Sequence, residues 1–203
     1  MAFEKLIADN QAFIFELDDV LYPKKDYLLQ VYYLFAQFIE YGEQLSASEV
    51  LNFMQATYSN HGETDLFLKT ADHFNLPLKY QYNFDLLHEN VRLPLKLLLF
   101  APVLTFMKQI VAESKRVFLL ADGNPTEQLN KIRQIEWNGL ETYLTVYFTE
   151  EITNLGRGKA IEIISDKHTL PLGEIVMVAR DEEGELAAPI VGIKLLPIDK
   201  LLS

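Results

Sequence analysis

The sequence predicts an α/β protein in which a Rossmann-like parallel sheet carries helices on both faces and an all-helical cap follows the first strand. Short apolar runs end abruptly in polar residues, as buried parallel strands do. These runs alternate with segments of helical periodicity, which indicates right-handed crossovers between parallel strands. A long stretch with helical periodicity alone, residues 23–95, separates the first apolar run from the others.

The first predicted strand covers residues 12–15, an apolar run that breaks into Glu16 and then Asp18 and Asp19. The pattern changes after Pro23, where apolar residues recur at intervals of three and four, as on one face of a helix. We therefore expect a buried strand that ends in a polar site and leads directly into the cap.

The cap is predicted to comprise residues 23–95 and to be helical throughout, while residues 1–22 and 96–203 form the core domain. Ser46 marks the start of the second cap helix, because serine is a favoured N-cap residue. Two more cap helices are predicted around residues 64–75 and 80–91.

The rest of the chain alternates between helical and strand patterns. Pro125 lies at a predicted helix start, where its missing N–H is tolerated. Predicted helices cover residues 103–112, 126–137 and 158–166. Predicted strands cover residues 116–120, 144–148, 175–178 and 193–198.

The carboxyl ends of the strands are where a sheet of this kind binds its ligands. Three segments follow predicted strands and carry charged or polar side chains: residues 16–20, 121–124 and 179–183. The sequence therefore predicts the functional site at these three segments.

The composition narrows the class of partner. The formal net charge is −11, which disfavours binding to a nucleic-acid backbone but leaves room for a small phosphorylated ligand in a locally positive pocket. The chain has no cysteine, which excludes disulfides, thiolate zinc sites and cysteine nucleophiles. The longest apolar run, residues 97–104, is too short to span a bilayer. We expect a soluble, cytoplasmic protein with no membrane partner.

Other catalytic patterns are missing from the sequence. Gly156 to Lys159 superficially resembles a phosphate-binding loop, but Thr153 and Ala160 break the Walker pattern. No serine lies in a Gly-x-Ser-x-Gly elbow, and the four histidines are scattered without metal-ligand spacing.

Four segments resemble, in order, the four motifs of one enzyme superfamily. Residues 15–22, Phe-Glu-Leu-Asp-Asp-Val-Leu-Tyr, resemble a first motif of the form Asp-x-Asp. Residues 119–124 resemble a second motif, Gly158-Lys159 a third that supplies a lysine, and residues 177–183 a fourth that supplies an acid. On these segments the chain resembles the haloacid dehalogenase (HAD) superfamily, and its first motif and cap look most like the phosphoglycolate phosphatase and nucleotidase branch.

The resemblance implies a role for each matching position. Glu16 stands where the family has its nucleophile, a carboxylate that becomes phosphorylated, and Asp18 stands at the general acid and base. The phosphate-binding positions correspond to Ala121, Asp122, Gly123, Lys159 and Arg180. The Mg²⁺ positions correspond to Glu16, Asp18 and Asp181.

Three of these positions depart from the family pattern. Glu16 is one methylene longer than aspartate, and a displacement of about 1 Å can slow a reaction roughly a hundredfold. Ala121 has no hydroxyl for a phosphoryl oxygen. Arg180 stands where an acid is expected, so its guanidinium would repel Mg²⁺, pair with Glu16 or Asp18, or hold a phosphate directly. A shift of one residue would instead bring Asp181 to this position.

Three functions are consistent with these features. The favoured one is a HAD-like protein with degraded phosphatase motifs, weakly active or inactive, that binds a small phosphorylated ligand through Arg157, Lys159 and Arg180 without metal. The second is an active phosphatase on a small phosphate ester, with Mg²⁺ as its cofactor and either Glu16 as nucleophile or Asp18 acting on water. The third is a structural or protein-binding role, with the cleft closed by an ion pair between Arg180 and Glu16.

Overall fold

The strands of this protein are short and lie in two parallel sheets. The computed structural model describes residues 3–180 and 192–203. In chain order the strands are β1 (Ala12–Phe15), β2 (Leu97–Leu98), β3 (Arg116–Ala121), β4 (Ile135–Glu136), β5 (Leu144–Phe148), β6 (Ile175–Ala179) and β7 (Lys194–Pro197). The main sheet has the order β5-β3-β1-β6-β7, and β2 pairs with β4 separately. The predicted Rossmann-like α/β fold is confirmed.

The helices fill the connections between these strands. They are α1 (Glu4–Ala8), α2 (Lys24–Glu43), α3 (Ala47–His61), α4 (Leu66–Phe74), α5 (Tyr80–Asn90), α6 (Ala101–Ala112), α7 (Pro125–Gln134), α8 (Thr149–Ile152), α9 (Arg157–His168) and α10 (Asp199–Leu202). Helices α2 to α5 lie between β1 and β2, so the predicted all-helical insertion after the first strand is confirmed.

Helices cover both faces of the main sheet: alternate side chains of β1 belong to two different buried clusters, each of which includes residues of a helix. Phe13 and Phe15 of β1 belong to a buried apolar cluster with Phe106 of α6. Ile14 belongs to a second buried cluster, with Ile161 of α9. Because successive side chains of a strand point to opposite faces, β1 is buried on both sides and is apolar throughout.

The first of these clusters extends without a break from the sheet into the cap. It includes Val31 and Phe35 of α2 and Phe84 of α5 together with Leu119 of β3. This continuity ties the helices of the insertion to the core. The domain boundaries at residues 22–23 and 95–96 stay a prediction.

The register of β1 determines which residues meet at the carboxyl edge of the sheet. Phe15 is paired with Leu119 of β3 on one side and with Val178 of β6 on the other. The next residue, Glu16, donates its backbone N–H to the carbonyl of Val178 at 3.2 Å. Residues that follow β1, β3 and β6 are therefore neighbours at this edge.

Several short elements differ from the sequence prediction. Helices α1 and α8 and the β2–β4 pair were not predicted, because such short segments carry no readable periodicity. Helix α7 ends at Gln134 rather than at residue 137, because Ile135 adopts an extended conformation and pairs with Leu97. Across residues 3–180 and 192–203, none of the helices combines the length and apolar character needed to cross a bilayer.

Candidate functional site

The turn after β1 presents three acids at the sheet edge and leads into α2. Asp19 adopts a left-handed conformation with φ of 59°, a conformation that aspartate tolerates better than most residues. Its backbone N–H donates to the carbonyl of Tyr22 at 3.0 Å, and its Oδ1 accepts the N–H of Lys24 at 2.8 Å. The Asp19 side chain therefore satisfies an N–H in the first turn of α2, where the helix provides no acceptor.

Glu16, at the predicted nucleophile position, uses both carboxylate oxygens for contacts within the chain. Its Oε1 forms an ion pair with Nη1 of Arg157. Its Oε2 accepts the backbone N–H of Arg180 at 3.2 Å. The side chain is only 13% exposed, so these contacts compete little with water. Glu16 therefore lies between the ends of β1 and β6 and the first residue of α9.

Arg157 links Glu16 to Asp122, the residue that follows β3. It donates from Nε at 3.0 Å and from Nη2 at 2.7 Å to the same oxygen of Asp122, Oδ2. The other oxygen of Asp122 accepts the hydroxyl of Thr149. Gly156, just before Arg157, has φ of 82°, a value that a residue with a Cβ rarely adopts, and this turn brings Arg157 to the sheet edge.

Asp18, at the predicted acid and base position, also has both oxygens engaged. Oδ1 accepts the hydroxyl of Tyr22 at 2.6 Å, and Oδ2 accepts Nζ of Lys131 at 2.7 Å. Lys131 also pairs with Glu127 at 2.7 Å and lies 4.8 Å from the ring centroid of Tyr27. Its side chain is 1% exposed, which makes this a buried ammonium group shared by two carboxylates.

Tyr22 is held in its protonated form by its surroundings. Burial raises the pKa of its phenol well above 10, and the charge of Asp18 and the hydrogen bond to it act in the same direction. The phenol is therefore a fixed donor to Asp18 at all ordinary pH values.

Arg180, at the fourth-motif position, contacts the turn after β1 with both its backbone and its side chain. Its Nη1 donates to Oδ2 of Asp19 at 2.9 Å, while its backbone N–H binds Glu16. Asp181, the alternative residue for this position, lies outside the described residues. The sequence analysis named Glu16 and Asp18 as partners for the Arg180 guanidinium; the guanidinium contacts Asp19, a residue not named there, and the backbone N–H of Arg180 contacts Glu16.

The predicted phosphate-binding residues lie in different surroundings. Ala121 is buried at the end of β3, and Gly123 follows with φ of 93°. Lys159 pairs with Glu162 one turn along α9 at 2.8 Å, and both side chains are about half exposed. The structure therefore brings Glu16, Asp122 and Arg180 together, whereas the described partner of Lys159 is on the solvent side of its own helix.

Two contributors to this site were not identified from the sequence. Glu127 and Lys131 are spaced as an i,i+4 pair on α7, and this spacing in the sequence predicts an ion pair between them. Most such pairs lie on a solvated helix face, and the sequence does not show that this face turns towards Asp18. Tyr22 was quoted within the first motif, but its hydrogen bond to Asp18 depends on the tight turn between them.

The described residues do not fit a Mg²⁺ ion. Mg²⁺ prefers several oxygen ligands in octahedral geometry, usually one or two carboxylates and water. Glu16 and Asp18 instead accept hydrogen bonds or ion pairs from Arg157 and Lys131. Within residues 3–180 and 192–203 there is no group of three or more His, Asp or Glu side chains that could hold a metal ion.

Comparisons of the sequence find neither a matching family model nor a matching curated protein. Comparison of the structure does find matches over most of the chain. A hydrolase from Streptococcus pneumoniae is similar with a TM-score of 0.53 and 15% identity, covering 95% of this chain and 96% of that one. The UTR4 protein of Saccharomyces cerevisiae is similar with a TM-score of 0.57 and 17% identity, covering 92% and 89%.

A HAD family hydrolase from Deinococcus radiodurans, solved with bound phosphate and sodium, is also similar. Its TM-score is 0.52 at 12% identity, and the match covers 93% of this chain and 80% of that one. At such low identity these likenesses are evidence for the fold, and the chemistry has to be argued from the residues of this chain.

Proposed function

We propose that this chain, whose fold is that of the haloacid dehalogenase-like hydrolases, binds a small phosphorylated ligand at its sheet edge and does not hydrolyse it. The observation that carries the proposal is the position of Arg157, which contacts the acids after two neighbouring strands, Glu16 and Asp122. The acids expected to perform the hydrolysis serve instead to hold cationic side chains of the chain itself.

The ion pairs oppose a nucleophilic role for Glu16. A carboxylate attacks through an oxygen lone pair, and a guanidinium on Oε1 together with an N–H on Oε2 stabilises the resting anion. Attack would require these contacts to be lost first. The longer side chain of glutamate adds the misplacement already expected from the sequence.

Asp18 is equally poorly suited to act as an acid and base. It accepts from Lys131 and from Tyr22, so both of its oxygens face donors rather than a substrate. A proton on Asp18 would have to replace an ion pair with a buried lysine, which is energetically costly. These contacts support an inactive centre over a working phosphatase.

Arg157 retains the capacity to bind an anion. A guanidinium has five N–H donors; Arg157 uses two of them in hydrogen bonds to Asp122, and its Nη1 forms an ion pair with Glu16. Its side chain is 34% exposed, so the remaining donors can reach a ligand. Arg180 lies across the same edge through its contacts with Glu16 and Asp19. A phosphate group fits the paired donors of arginine.

The test is equilibrium binding of inorganic phosphate and of simple phosphate monoesters, measured by calorimetry at low ionic strength. Arg157→Gln is expected to weaken phosphate binding about tenfold or more, since a charge-assisted contact contributes about 1.5–3 kcal/mol. Lys159→Gln, which removes the same charge from the same helix, is the matched control and should leave binding unchanged. Binding that depends on Lys159 and not on Arg157 would refute this assignment.

A structural role is the second candidate, and one observation favours it. Arg157 links α9 to the ends of β1 and β3 through Glu16 and Asp122, so it also stabilises the packing of these elements. If phosphate does not bind at millimolar concentrations while Arg157→Gln destabilises the fold, the role of Arg157 is structural alone.

A further inference from the structure

A cavity of about 420 Å³ lies between the cap and α7, lined by side chains of α2, α4, α5 and α7 together with Glu63 and Asn124, which precede α4 and α7. We propose that this cavity binds an organic cation, a primary or quaternary ammonium group. The inference does not depend on phosphate binding, because the cavity is formed by cap residues and by α7, and Arg157 and Arg180 do not line it.

The charged residues that line the cavity are acids. They are Glu63, Asp85, Glu89 and Glu127, and no lysine or arginine is among the described lining residues. Lysines outside the cavity, Lys24 and Lys131, pair with Glu63 and Glu127. Asp85 and Glu89 accept only from side-chain amides among the described residues, so their charge is not neutralised. The cavity therefore attracts cations and repels phosphate.

Three aromatic rings form one wall of the same cavity. Tyr32 and Phe84 are stacked with centroids 6.2 Å apart, and the ring of His88 lies 4.8 Å from Phe84. Burial lowers the pKa of His88, so its ring is neutral at pH 7 and adds no competing positive charge. Aromatic faces beside carboxylates are the surroundings that ammonium groups favour.

The hydroxyl of Tyr32 provides an independent indication of a ligand. Tyr32 is 1% exposed and lines the cavity, yet within residues 3–180 and 192–203 its hydroxyl has no hydrogen-bond partner. Burial raises its pKa, and the charges of Glu63 and Glu127, which line the same cavity, raise it further. The Tyr32 hydroxyl is not among the fully buried side-chain atoms of the described residues that lack a hydrogen bond, so it opens onto the cavity, where a ligand oxygen can accept from it.

The chemistry of the lining distinguishes an organic cation from other occupants. A metal ion would need convergent ligands, and the described residues hold no group of three or more His, Asp or Glu side chains able to bind one. An anion would meet four carboxylates. An alkylammonium group matches the rings through its carbon atoms and the acids through its charge, and an attached hydroxyl or ether oxygen would accept from Tyr32.

The experiment is a calorimetric titration of the full chain with choline, alongside its uncharged isostere 3,3-dimethylbutan-1-ol. Choline should bind at least roughly tenfold more tightly than the isostere, because only choline carries the charge. Glu89→Gln is expected to weaken choline binding about five- to tenfold, and Tyr32→Phe by a similar factor. Glu162→Gln, which removes one negative charge on α9, is the matched control and should change nothing.

Three outcomes would overturn the proposal. They are no choline binding, equal binding of choline and the isostere, and choline binding that neither Glu89→Gln nor Tyr32→Phe alters. Circular dichroism establishes that each variant is folded, and Glu89→Gln alone suffices if the buried Tyr32→Phe variant is not. Because choline carries no phosphate, this result is independent of the phosphate titration.

Discussion

Arg157 donates two hydrogen bonds to one oxygen of Asp122, at 3.0 and 2.7 Å, and its third contact is with Glu16. One guanidinium thus holds together the acids that follow β1 and β3. In the HAD superfamily the corresponding edge is expected to hold a metal ion and a phosphoryl group. In this chain an arginine contacts both acids.

The first prediction concerns the contribution of this contact to stability. Arg157→Gln should lower the free energy of unfolding by about 1–2 kcal/mol, because it leaves two neighbouring carboxylates without their shared cation. This expected loss is smaller than for a fully buried ion pair, because Arg157 is one-third exposed and solvent screens the interaction. Urea unfolding measures the change in the free energy of unfolding, with Lys159→Gln as the control. Equal changes in the free energy of unfolding for the two substitutions would contradict a stabilising role for the Arg157 contacts.

The second prediction concerns Lys131. Lys131→Met should destabilise the chain by about 3 kcal/mol, because removing a buried ammonium leaves Asp18 and Glu127 without their cation. Adding Asp18→Asn in the same chain should recover part of the lost stability, because one of the two carboxylates left without a cation is then removed. A double-mutant cycle measures the coupling. Strictly additive effects would show that Lys131 and Asp18 do not stabilise each other.

The third prediction concerns pH and His88. Burial lowers the pKa of His88 below its ordinary value of 6.5, so the unfolded chain takes up this proton more readily than the folded one. The stability due to neutral His88 is therefore present above pH 6.5 and is lost as the pH falls through and below that value. Urea unfolding between pH 7.5 and 5 should show a shallower loss for His88→Gln than for the parent chain. His61→Gln, at an exposed position, is the control, and identical slopes for the parent chain and His88→Gln would contradict the prediction.

Much of this edge of the sheet could be predicted from the sequence. Apolar runs ending at Glu16, Asp122 and Arg180 indicated parallel strands, and parallel strands bring their carboxyl ends to one edge. The order of elements and the helical insertion followed from periodicity. These features depend on local patterns and on topology, which a single sequence expresses directly.

The pairing of charges could not be predicted in the same way. The family motif assigned the phosphate-binding position to Lys159, with Arg157 named beside it. In the structure Arg157, the first residue of α9, reaches the acids, while Lys159 pairs with Glu162. A difference of two residues on a helix turns a side chain by about 200°, and the sequence alone does not fix the rotation of the helix. The burial of Lys131 was missed for the same reason.

The central claim is that the acids of this site hold the chain's own cations and do not hydrolyse phosphate esters. The most direct test measures phosphate release from a panel of small phosphate esters in excess Mg²⁺, comparing the parent chain with Asp18→Asn. We expect no release above background from either protein, although both are folded. Mg²⁺-dependent turnover by the parent chain that Asp18→Asn abolishes would contradict the claim and make Asp18 a working acid and base.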